Sequence, residues 1–169
     1  MHTIGKHDRI RELIDVPLPS SDSPEPLVVV DERTLVVSYS TAKPSTGQAD
    51  GAGLPPADEA AAIVVFRQCY ASHFGPPNDD AYASHPLADQ GLRPYGAFEV
   101  EGSAWLRGLE TRNRGHPRHD PLMFQQLRHW VWTFHDSVLE CGAVSYTALE
   151  APGRPDDLLP RMQALLRSS

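Results

Sequence analysis

Apolar and polar residues alternate most cleanly between positions 128 and 143, in RHWVWTFHDSVLECGA. Trp130, Trp132 and Phe134 occupy every second position, and Leu139, Cys141 and Ala143 do so after the break. A period of two marks a strand with unlike faces, and Asp136-Ser137 is compatible with a tight turn. The segment therefore predicts a β-hairpin. With Asp136-Ser137 as a two-residue turn, His135 stands opposite Val138, Thr133 opposite Glu140 and Val131 opposite Gly142. The aromatic face is the better core. The other face carries His129, Val131, Thr133, His135, Val138, Glu140 and Val144.

The same reading places other elements. Residues 27–30 and 35–39 are rich in β-branched side chains and flank DERT, which predicts a second hairpin. The run AAAIVVFRQCY over 60–70 predicts a central strand, and 97–100 a short one. The spacing then turns helical. Ser103 is a suitable N-cap for a helix over 104–113, with Trp105, Leu106 and Leu109 on one face. Asp120 caps a helix over 121–127 that has Pro at its first position. Leu158, Leu159, Met162, Leu165 and Leu166 mark a final amphipathic helix within 155–166. Ile10, Leu13 and Ile14 predict a short helix over 7–15. Residues 42–59, rich in Gly, Pro and Ala and without periodicity, read as a mobile loop. Hairpins dominate this order, so the expected class is α+β: an antiparallel sheet of about five to six strands packed by two to four helices, in a single domain spanning 1–169.

Composition narrows the function classes. The net charge is −7 and no basic stripe is present, which argues against nucleic acid. No apolar run approaches the roughly 20 residues that span a bilayer, and the N-terminal segment has no apolar leader core; a cytoplasmic protein is expected. Cys69 and Cys141 lie in apolar runs without a CxxC spacing and read as buried, reduced thiols. Neither GxGxxG nor GxxxxGK[ST] occurs, so no nucleotide cofactor is indicated. GxSxG is missing too, and His135, Asp136 and Ser137 are chain neighbours that cannot converge as a triad.

The remaining chemistry clusters on the polar hairpin face and in the loops. His135 with Glu140 forms a candidate acid–base pair, since a nearby carboxylate fixes a histidine tautomer. His129 and His135 are too far apart on a straight strand to share one ligand. His116 and His119, in an HxxH spacing, join His135 and Glu140 as candidate ligands of a divalent metal. The turn-rich segment 73–96 offers Asn78, His85, Arg93 and Tyr95 as binding groups. Glu99, between Phe98 and Val100, is expected to join the His/Glu face. These features predict a module that recognises a small-molecule or protein partner through this face and its loops. The alternative is a small enzyme using His/Glu acid–base or metal-assisted chemistry on the same surface.

Overall fold

The computed structural model describes residues 5–41 and 60–168. The predicted loop over 42–59 lies outside them. Among the described residues the chain forms two antiparallel sheets rather than one. The first holds five strands in the order β1 (Arg9–Glu12), β6 (Ala97–Glu101), β7 (Arg128–Thr133), β8 (Val138–Ala143) and β5 (Ala71–Gly75). The second holds four in the order β2 (Leu27–Val30), β3 (Thr34–Ser40), β4 (Ala60–Arg67) and β9 (Ser145–Pro152).

The aromatic face of the hairpin explains why two sheets are needed. Trp130, Trp132 and Phe134 pack against Leu35, Val37, Tyr39, Val64 and Phe66 of the second sheet in one buried cluster. Phe66 meets Trp132 edge-to-face at 5.1 Å, a favoured aromatic geometry. The Trp132 indole N–H donates to the Tyr39 hydroxyl at 3.1 Å, whereas the buried indole N–H of Trp130 has no hydrogen-bond partner among the described residues. Burial pushes the Tyr39 hydroxyl pKa well up, keeping it neutral.

β4 buries both of its faces, which is why its sequence does not alternate. Ala62, Val64 and Phe66 face the first sheet. Ala61, Ile63 and Val65 pack under Leu158 and Met162, at the start of and within α3 (Leu159–Arg167). The predicted final helix thus begins as a 3₁₀ turn, Pro155–Leu158, and becomes α-helical at Leu159.

The outer face of the first sheet is covered as well. Tyr82, Leu87 and Leu92 close over Phe98, Val100, Val131 and Val138. α1 (Ala104–Asn113) and α2 (Pro121–Gln126) adopt the predicted bounds to within a residue, capped by Ser103 and Asp120 as expected. The predicted helix over 7–15 is instead β1, paired in register with β6 from Arg9↔Glu101 to Glu12↔Phe98. Sheet pairing, together with burial of Leu13 and Val16 in the seam, overrides a short helical spacing. The segment 73–96 is likewise more than loop, since β5 takes its first residues.

Two strand pairs run from one sheet into the other. β4 pairs with β9 down to Arg67↔Ser145, and β5 with β8 from Ala71↔Gly142. Three residues (68, 69, 70) oppose two (143, 144) at the junction, a one-residue bulge, and Gln68 adopts φ +51° there. A single long antiparallel ribbon is thus bent across both sheets at this corner.

Candidate functional site

The hairpin turn sits one residue earlier than predicted. Phe134 N–H donates to Ser137 C=O at 2.9 Å, closing the turn over His135 and Asp136. Partners therefore move by two: Val131 opposes Glu140, and His129 opposes Gly142. Each strand keeps its faces, but the neighbour of Glu140 changes. Two anchors set this register. Phe134 is locked in the seam, and His135 C=O accepts the Asp79 N–H at 2.8 Å.

Glu140 consequently meets His129 rather than His135. His129 Nε2 lies 2.9 Å from Glu140 Oε2, and His129 Nδ1 lies 2.9 Å from the Ser103 hydroxyl. With Glu140 as a carboxylate, Nε2 carries the donating proton, and Nδ1 pairs with the Ser103 hydroxyl. Ser103 Oγ also accepts the Leu106 N–H as the α1 cap. On the far side, His85 Nε2 approaches Glu140 Oε1 at 3.6 Å. His85 Nδ1 accepts the Leu87 N–H at 3.1 Å, so the proton of neutral His85 sits on Nε2, facing the carboxylate. The result is a buried series Ser103–His129–Glu140–His85, each member 6% exposed or less.

Gly142 makes this arrangement possible. A Cβ there would lie 2.7 Å from Leu106 Cδ2, so glycine lets α1 settle on the sheet at this point without displacing the end of Leu106. Trp105 then tilts against the His129 ring, with centroids 4.7 Å apart. Asp8, itself buried, accepts the Ala104 N–H at 2.9 Å and ties the start of α1 to the β1 segment.

A cleft of about 890 Å³ opens beside the series. Ser103 and His129 form part of its wall; Leu106, Phe124, Leu127 and Val144 supply apolar surface, and Arg107, Glu110, Gln125 and Arg128 line it with polar groups. Glu99 also borders it. It does not join the His/Glu face as predicted, because it stands opposite Trp130 and so lies on the aromatic side of the sheet. There its nearly buried carboxylate is held by Arg11 and Arg128.

The other predicted residues are dispersed. His135 is at the exposed turn, its Nδ1–H donating to Asp136 at 3.0 Å. That bond, with Asp79 nearby, raises its pKa above the usual histidine value. Tyr95 donates to Asp79 at 2.7 Å, and the same bond pushes its pKa up to about 12. Asn78 caps the 3₁₀ turn Asp79–Ser84 by accepting the Ala81 N–H, and Arg93 pairs with Glu12. His116 accepts the Arg118 N–H, and His119 donates to the Asn113 side-chain oxygen. The predicted metal set of His116, His119, His135 and Glu140 is therefore not assembled, and among the described residues no three His, Cys, Asp or Glu side chains are grouped as metal ligands. His85 alone of the loop candidates reaches Glu140.

Sequence reasoning passed over His129 and Ser103. His129 was on the correct face, and the turn position alone hid its partner. No protein-family model, curated protein or solved structure matches the chain.

Proposed function

We propose that the protein is a binding module whose cleft takes up a small amphipathic molecule, with the His/Glu face of the first sheet as a fixed polar wall. The observation carrying this reading is the cleft of about 890 Å³ backed by the buried Ser103–His129–Glu140–His85 series. Its size suits a small ligand. Its apolar lining offers burial, and its polar wall loses little rotamer freedom on binding because Glu140 and His85 hold it from behind. The ionic groups near the opening largely pair among themselves: Glu99 with Arg11 and Arg128, Glu101 with Arg11, Glu110 with Arg114. That favours a neutral ligand over a strongly charged one. Titration with a neutral solvatochromic dye tests the reading. The protein should bind it saturably, and Gln125→Trp, which fills the opening from an exposed position, should abolish binding without changing the melting temperature. Undiminished binding by Gln125→Trp would place the ligand elsewhere.

A second reading rests on the same residues. Hydroxyl, imidazole and carboxylate in series have the connectivity of an acyl-transfer relay, with Ser103 as nucleophile and His129 as base. The Leu106 N–H held by Ser103 Oγ occupies a lone pair and weakens the nucleophile, so binding is preferred. Labelling of Ser103 by a fluorophosphonate, lost in His129→Ala, would favour the enzyme; an unlabelled Ser103 in folded protein would remove it.

A further inference from the structure

The bend between the sheets holds a second chemical feature, built from the two cysteines. Cys69 lies in the bulged segment after β4, and Cys141 is on the inner face of β8. Both are free and buried, and both belong to the cluster between the sheets. The chain brings them together at the corner: Tyr70 N–H donates to Gly142 C=O at 2.8 Å, one residue on from each cysteine, and the Cys69 thiol donates to Ala71 C=O at 3.6 Å. The two thiols are not equivalent. Cys69 borders a second cleft of about 500 Å³, with Arg33, Tyr70 and Met123 around it, which adjoins the first through the shared Gln126, Leu127 and Val144, whereas Cys141 is fully enclosed behind it.

We propose that Cys69 and Cys141 are a reactive thiol pair that reduces a low-molecular-weight disulfide at this cleft and closes into an intramolecular disulfide. Cys69, as thiolate, attacks one sulfur of the disulfide RSSR. A Cys69–SR bond forms, the S–S bond of RSSR breaks, and RS⁻ leaves and is protonated to RSH. Cys141 then attacks Cys69 Sγ. The Cys69–Cys141 bond forms, the second RS⁻ departs, and it takes up the proton released by Cys141. Two protein thiols are oxidised, and one RSSR is reduced to two RSH. Access assigns the order, since only Cys69 borders the cleft. The neighbouring Cys141 thiol lowers the Cys69 pKa against the opposing effect of burial, while burial drives the Cys141 pKa well up.

The experiment treats the full chain with glutathione disulfide and follows intact mass, peptide maps and melting temperature. The wild type should lose two hydrogens, retain no glutathionyl group, yield a Cys69–Cys141 peptide, and melt on the order of 5–10 °C higher than its dithiothreitol-reduced form. Cys141→Ala should stop at one glutathionyl group on Cys69, and Cys69→Ala should remain unmodified. A wild type that stays reduced, or that accumulates a stable glutathionyl adduct, would overturn the proposal. So would adduct formation on Cys141 in Cys69→Ala. Because the wild-type mass is informative alone, a variant that fails to fold does not leave the question open.

Discussion

At the residue scale, Glu140 carries the greatest weight. Its carboxylate lies beneath α1 and the loop of His85, with an imidazole at each oxygen. Glu140→Ala strands both imidazoles in a buried setting and is expected to cost about 2–4 kcal/mol, read by urea denaturation. Glu140→Gln retains shape and one acceptor, so a smaller loss of about 1 kcal/mol is expected. His135 gives a contrasting case, because it is exposed at the turn. Its folded-state pKa is raised above 6.5, first by Asp136 and then by Asp79. The stabilisation from its protonated form is therefore fully present below about pH 6.5 and is lost as pH rises through the folded-state value. NMR titration of the imidazole should show the raised pKa, and Asp136→Asn should lower it; an unchanged value would remove Asp136 as the cause.

At the scale of elements, packing of α1 onto β8 depends on Gly142. Valine there must displace Leu106, whose Cδ2 would be met at 2.7 Å by the new Cβ alone. Gly142→Val should cost about 2–3 kcal/mol and alter the near-ultraviolet signal of Trp105 as the helix lifts; Gly142→Ala should cost less, because the end of Leu106 can give way. Elements of this kind were largely legible in the sequence. Ser103 and Asp120 announced α1 and α2 by their capping chemistry, and the β-branched run of β4 announced a strand. What sequence could not weigh was competition between local and long-range pairing. The i, i+3, i+4 set at Ile10 suits a helix, yet β6 offers it a strand partner 88 residues away at Arg11 and Glu99. The turn failed for a similar reason. Asp136-Ser137 and His135-Asp136 are both acceptable turn pairs, and the choice was made by Phe134 in the seam and Asp79 from a distant loop. A slip of one residue in the turn was enough to transfer the partner of Glu140 from His135 to His129.

At the scale of the molecule, the expected α+β class with antiparallel pairing holds, while the second sheet escaped notice. The unbroken apolar run of β4 was its signal: a strand apolar on both faces needs cover on both, and here the first sheet and α3 provide it. The cleft is legible only in three dimensions, since its wall draws on β6, α1, α2 and β7 together.

The bent ribbon at Gln68 has a mechanical consequence. Strands that pass from one sheet into the next with so few linking residues act as a clasp, so the layers cannot part at that corner without breaking ladder bonds in both. The Val144 N–H to Arg67 C=O bond (3.1 Å) and the Tyr70 N–H to Gly142 C=O bond (2.8 Å) sit at this hinge. Native-state hydrogen exchange should accordingly find the central amides of β4 and β8 opening with one shared free energy. Separate openings would mean that the clasp yields first, and that the halves of the sandwich unfold as independent plates.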